Sequence, residues 1–186
     1  MRKSELFPRI LLVLILFSKV FIMPMGVFGA PFAEYKVKAA FLLKLADFVE
    51  WPSDVSDNAT VPINVGVVGN DPFGDLLPEE ISQADGGCGF AFKVRRLFPK
   101  DEYISSFNIL FFPRTSQDAF VAIQSLISDK PVLTVGEGES FIDQGGMIAF
   151  TLENNRVQFI ANLKRCRKAH LNISAKLLVL AKKVIK

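Results

Sequence analysis

A chain that catalyses a reaction must bring proton carriers, nucleophiles or metal ligands together, and this one has few to bring. Its single histidine, His170, lies in the basic stretch KRCRKAH, at the expected end of a short helix. A histidine placed there more often closes the helix than moves a proton. No H-E-x-x-H, paired C-x-x-C or other metal-ligand spacing occurs, and no G-x-S-x-G nucleophile elbow. The stretch GVVGNDPFG follows an apolar run as a dinucleotide loop would, but Gly66, Gly69 and Gly74 miss the G-x-G-x-x-G spacing. There is no Walker-type loop, and the carboxylates are scattered singly, without a pair suited to acid and base roles. These residues predict a protein that is not an enzyme and that uses no metal and no cofactor.

Groups suited to binding are easier to find. In an open α/β sheet, ligands sit outside the carboxyl ends of parallel strands. The segments expected there are GNDP (Gly69, Asn70, Asp71), PRTS (Arg114, Thr115, Ser116) and GEGES (Gly136, Glu137). Either they form one crevice for a small ligand or they are ordinary turns. Lys38 joins them because it interrupts the apolar arc of the first helix. Its stem either snorkels out at the helix end or places a buried cation for a ligand or partner carboxylate. The candidate ligand-binding set is therefore Lys38, Asn70, Asp71, Arg114 and Thr115. A second candidate is NLKRCRK, with Lys164, Arg165, Arg167 and Lys168 on one short helix. With Arg95 and Arg96 it would receive an acidic surface or a small anion, and the alternative is a solvated basic face. Asn155 and Arg156, in the hairpin around Asn154–Arg156, and the exposed edge of the first helix complete the candidate partner contacts.

The frame for these residues begins with a leader. Arg2, Lys3 and Arg9 precede an apolar run from Ile10 to Ser18, which Lys19 breaks and which resumes to Ala30. Val27 and Gly29 are small residues at the −3 and −1 positions of a cleavage after Gly29. That pattern predicts a secretory signal peptide over residues 1–29 and a folded domain over residues 30–186. The uninterrupted apolar run falls well short of the ~20 residues that span a bilayer; an uncleaved anchor is the alternative. The leader holds four of the 22 Lys and Arg (Arg2, Lys3, Arg9, Lys19) and one of the 19 Asp and Glu (Glu5), which leaves 18 of each. A mature chain so balanced has no global field for nucleic acid or anionic lipid. Cys88 and Cys166 are the only cysteines. In an oxidising compartment they are a candidate disulfide; otherwise they are two small buried thiols.

Periodicity supplies the elements that must position all this. YKVKAAFLLKLADFVE (35–50) reads as a helix with Lys36, Lys44, Asp47 and Glu50 on its polar side, stopped by Pro52. Val61 to Val68 predicts a buried parallel strand, NDPFG a loop, and Phe73 to Ile81 a short helix. A second strand starts at Phe90, with Phe90, Phe92 and Val94 on one face. FNILFFP (107–113) and KPVLTVGEG are the next two strands. Between them Ser116 caps a helix through Ile127, with Phe120, Ile123, Leu126 and Ile127 as its apolar face. SFIDQGG is a turn of helix, and GGMIAFTLENNRVQFIANL is a hairpin around Asn154-Asn155. Asn162 caps a helix over 163–169, LNI is extended, and Ser174 caps a last helix with Leu177, Leu178, Leu180, Ala181 and Val184 inward. The expected fold is a single-domain α/β sandwich: a mixed sheet with helices on both faces and a C-terminal β-hairpin.

Taken in order, EYKVKAAFLLKLADFVEWP, INVGVVGNDPFGDLL, VRRL, NILFF, PVLTVGEGESFIDQGGMIAFTLENNRVQFIANL and LNISAKLLVLAKKV resemble the YfiR-like family. The resemblance covers residues 34 to 184. It implies a periplasmic, non-enzymatic, homodimeric regulator that restrains an inner-membrane diguanylate cyclase by binding its periplasmic sensory part. It further implies an outer-membrane lipoprotein that sequesters the regulator, raising cyclic di-GMP and biofilm formation. Two positions depart from the family pattern. Asn108 stands where the family often has cysteine, so a Cys88–Cys166 bond would be particular to this chain. His170 stands where glycine is common, which implies a helix cap with positive φ. Without the resemblance, a periplasmic small-molecule sensor is the rival reading.

Overall fold

The computed structural model describes residues 30–52, 61–84 and 90–186; the predicted leader and Cys88 lie outside them. Contacts group Pro31–Lys186 into one unit. The first helix, α1, runs over Ala30–Lys44, earlier than its apolar period suggested, and tightens into a 3-10 turn at Leu45–Phe48. The chain is already extended at Val49–Glu50 (β1), so the predicted helix end at residue 50 is corrected to 44. Trp51 closes this corner by donating its indole N–H to the Ala46 carbonyl at 3.1 Å.

The remaining elements alternate as their patterns require. They are β2 (Ile63–Val68), α2 (Leu76–Ala84), β3 (Phe92–Leu97), β4 (Ile109–Phe112), α3 (Gln117–Ile127), β5 (Leu133–Glu137) and α4 (Glu139–Asp143). After these come β6 (Ile148–Glu153), β7 (Arg156–Asn162), α5 (Leu163–Lys168), β8 (Asn172–Ile173), α6 (Ala175–Leu178) and β9 (Lys183–Ile185). The β6–β7 turn uses Asn154 and Asn155 at φ 48° and 60°, as the paired asparagines predicted. Ser116 does stand at the N-cap of α3, but it also ends a 3-10 turn at Arg114–Ser116 and its side chain makes no capping bond. The last helix is also shorter than expected. Only four residues are helical, Leu180 faces solvent, and the chain straightens into β9. Leu126 is likewise exposed on α3, not inward.

Seven strands form one sheet in the order β3-β2-β4-β5-β6-β7-β9, and β1 pairs separately with β8. Every neighbouring pair in the large sheet is parallel except β6–β7. Both faces are covered, which is why β4 and β5 are buried along their whole length. Adjacent Phe111 and Phe112 on β4 show the division. Phe111 packs edge-on to Phe73 at 4.7 Å, in the core shared with α1, α2, α5 and α6. Phe112 packs on Phe120 at 5.1 Å and Phe141 at 5.8 Å, in the core under α3 and α4. The predicted mixed sheet with helices on both faces is what forms. Among the described residues, no helix is long and apolar enough to cross a membrane.

Candidate functional site

After β2 the chain adds β3 on one side and β4 on the other, so the sheet changes its direction of growth between β2 and β4. In open α/β sheets that switch opens a crevice beyond the carboxyl ends of the strands. Here the three predicted segments do meet at that end, but they largely satisfy one another. Gly69 is pressed against Ser116: a Cβ built on Gly69 would stand 2.3 Å from the serine hydroxyl. Its φ of 87° also asks for glycine. Asp71 accepts from the Phe73 N–H at 2.8 Å and from Arg96 Nε at 2.7 Å. Asn70, Arg114 and Thr115 carry their side chains in solvent.

Lys38 and Glu137 form the chemical centre of this end. Lys38 is 4% exposed and Glu137 3%, so the expected snorkelling of Lys38 is corrected. Its ammonium lies between the carboxylates of Glu137, at the tip of β5, and Glu34, one turn earlier on α1. The reading of a buried cation is right, but the carboxylate it holds belongs to this chain and not to a ligand. Glu137 Oε2 also accepts from the Arg114 backbone N–H at 2.8 Å and from the Tyr35 hydroxyl at 3.3 Å. Its backbone carbonyl takes Gln117 Nε2 at 2.5 Å, and Gln117 in turn accepts from Ser140. Burial, and then Glu137, push the Tyr35 phenol well above its ordinary range. The Lys38 ammonium stands 4.5 Å from the centre of the Tyr35 ring. The arrangement is a closed ion-pair network that fastens α1 to the sheet, with its donors and acceptors already matched.

Two open clefts flank the network and share Asp71. One, of about 550 Å³, is lined by Phe32, Tyr35, Phe73 and Glu79 among others. The other, of about 490 Å³, is lined by Gly69, Asn70, Asp71, Arg96 and Phe98. Among the described residues, no three His, Cys, Asp or Glu side chains are placed to hold a metal ion.

The predicted basic surface divides. On α5, capped as expected by Asn162 accepting from Arg165 N–H at 3.2 Å, Lys164, Arg167 and Lys168 are exposed. Arg165 is instead half-buried and donates to the Gly145 carbonyl at 2.9 Å. Arg95 and Arg96 sit on β3 at one edge of the sheet, whereas α5 follows β7, five strand positions across. At the usual strand spacing that is about 24 Å, so the two groups do not make one patch. Asn155 and Arg156 are exposed at the hairpin tip. Cys166 is a fully buried free thiol on α5, and burial pushes it up to about 12; its candidate partner Cys88 is outside the described residues. His170 has φ 56°. With His170 N–H on Arg167 O and Leu171 N–H on Cys166 O, it closes α5 as a Schellman cap.

One feature escaped the sequence. Ala40, Phe41, Lys44 and Leu45 of α1 and its extension, with Phe48, Leu177 and Leu180, line an almost wholly apolar groove of about 240 Å³. Leu180 is 62% exposed and neighbouring Val179 83%. A run of leucines read as an inward helix face conceals such a groove, because only the early end of α6 turns Leu180 outwards.

The sequence profile of the YfiR/HmsC-like family matches residues 35–182. No functionally curated protein matches the chain. Solved structures of similar fold include a conserved domain protein from Vibrio cholerae O1 biovar eltor, with TM-score 0.54 and 9% identity, covering 81% of this chain and 60% of that one. Another is the ABC domain from Streptococcus pneumonia in complex with L-Trp, with TM-score 0.51 and 12% identity, covering 79% of this chain and 60% of that one. At such identities the likeness is one of fold. The chain spans three fifths of the length of both structures.

Proposed function

The chain belongs to the YfiR/HmsC-like family of periplasmic regulators in diguanylate cyclase signalling, and on that premise we propose that it is exported and restrains a membrane cyclase by binding its periplasmic part. The observation that carries this reading is the apolar groove between α1 and α6, rimmed by the exposed Leu180. A domain that leaves such a groove open offers contact area to another protein. The matched network around Glu137 points the same way, since its groups are engaged within the chain. Binding the cyclase's inactive conformation more tightly than its active one would hold output low. An outer-membrane lipoprotein would then relieve the block by mass action, and a homodimer would present two copies of the groove.

The experiment is co-expression with the membrane cyclase encoded nearest to this gene, reading cellular cyclic di-GMP. The wild type should lower it, and Leu180→Asp, at a position 62% exposed, should restore it without loss of folding. Unchanged cyclic di-GMP with the wild type refutes the role. Fractionation and N-terminal sequencing test the export step: a cytosolic protein, or one that keeps residues 1–29, contradicts it. A second reading, a small-molecule sensor, is favoured by the aromatic and acidic cleft at Tyr35, Phe73 and Asp71 and by the L-Trp complex of one solved structure of similar fold. Thermal-shift measurements with amino acids test it directly, and no stabilisation rejects it.

A further inference from the structure

The outer strand of the sheet carries backbone groups that no described strand pairs with. Among the described residues, β3 pairs with β2 alone. The carbonyls of Ala91 and Leu97 accept from the N–H groups of Ile63 and Gly69, so the odd-numbered residues turn their backbone groups towards β2. In a parallel ladder the alternate residues, Phe92, Val94 and Arg96, turn theirs outwards. Lys93, Arg95 and Arg96 are exposed on this strand. Of the three, among the described residues, only Arg96 has an ion-pair partner, Asp71. Just past the strand, Phe98 is 69% exposed, lining the cleft of about 490 Å³ with Arg96.

Cationic side chains on an edge are a common device against pairing with a second copy. Two copies of β3 side by side would set lysine and arginine against their like. That accounts for the charges but not for a bare aromatic ring and a cleft at the strand's end. A strand bearing carboxylates meets the same edge with attraction instead of repulsion. We infer that β3 is a strand-addition site for an extended, acidic segment of a partner protein. Phe92, Val94 and Arg96 supply the ladder, Lys93 and Arg95 meet carboxylates, and Phe98 with its cleft seats an apolar residue at the end of the segment. The inference rests on the proposed role as a partner-binding regulator, but it uses no residue of the α1–α6 groove.

The probe is a synthetic peptide of alternating valine and glutamate, added to the purified protein and followed by amide hydrogen exchange. The peptide should slow exchange at Phe92, Val94 and Arg96 and leave Lys93, Arg95 and Leu97 nearly unchanged, because those are already bonded. Val94→Pro removes one outward donor and spares the ladder with β2, so it should weaken binding at least about fivefold. Lys93→Glu with Arg95→Glu should transfer the preference to a valine–lysine peptide. The inference is overturned if the acidic peptide does not bind, or binds without protecting those three amides. Equal binding by a peptide of the same charge broken with prolines overturns it too, since that is attraction of a polyanion without a strand. Any of these failures leaves the groove variant to be judged on cyclic di-GMP alone, and its failure does not decide this one.

Discussion

Replacing Lys38 with methionine isolates the ion-pair network that fastens α1. The change keeps the length and apolar stem of the side chain and deletes only the ammonium. Glu137, 3% exposed, is then left in the interior with the Arg114 N–H and the Tyr35 hydroxyl as its remaining donors. Glu34 loses the same cation and faces Glu137 across the vacated site. Removing one member of a buried pair costs about 3–5 kcal/mol. For a domain of this size that is a fall in Tm of roughly 10 °C. Urea unfolding reads it directly, because Trp51 is the one tryptophan and is buried. In the double variant Lys38→Met, Glu137→Gln, the amide still accepts from Arg114 and the one carboxylate left without its cation is the partly exposed Glu34. It should be less destabilised than the sum of the single variants by about 2 kcal/mol. A loss below ~1 kcal/mol for Lys38→Met, or strict additivity in the double variant, would mean that the lysine behaves as an exposed one, and the argument from burial would fail.

Other expectations are read in the same unfolding assay or by chemical labelling. Gly136→Ala places a Cβ 2.5 Å from the fully buried Phe141 ring, and should destabilise by about 1–3 kcal/mol. His170→Gly should leave stability and any partner binding intact, whereas His170→Val should cost ~1–2 kcal/mol at φ 56°. Cys166 should resist alkylation at pH 8 in the folded protein and react on unfolding, as peptide mapping would show; protection that persists in denaturant without reductant would mean that the thiol is paired. Its thiol is held protonated up to about 12 in the fold, and an unfolded cysteine ionises near 8.5. The unfolded state therefore sheds its proton first, and stability should decline as pH rises between those values. A flat profile there for the wild type relative to Cys166→Ala would contradict the burial argument.

The fold was legible where one residue type answers to one physical demand. ILFF has apolar side chains on both faces, and INVGVV is apolar but for Asn64 and Gly66, so both short runs read as covered strands. Asn154-Asn155 tolerates positive φ twice in succession, and Asn162 has both a free acceptor and a helix to receive it. The errors came where two demands compete. LNISAKLLVLAKKV has a helical period, yet its last residues gain more from joining β7 as β9 than from prolonging α6. Lys38 looked like a surface lysine one turn too deep because Glu137 lies 99 residues away, a distance no local pattern spans. The basic patch failed for the same reason. Arg95 and Lys164 carry equal charge, but their distance apart is set by strand order, which a list of residues does not contain.

That 99-residue span has a consequence for assembly. A chain made from its N-terminus carries Lys38 and its neighbour Glu34 long before Glu137 exists, and closing so wide a loop is entropically costly. Until β5 is in place, the ammonium has only the partly exposed Glu34 of its own helix and lacks the buried carboxylate that matches it in the interior. The last contact of α1 with the sheet thus depends on a residue three quarters of the way along the chain, and the network closes only when that strand is laid down.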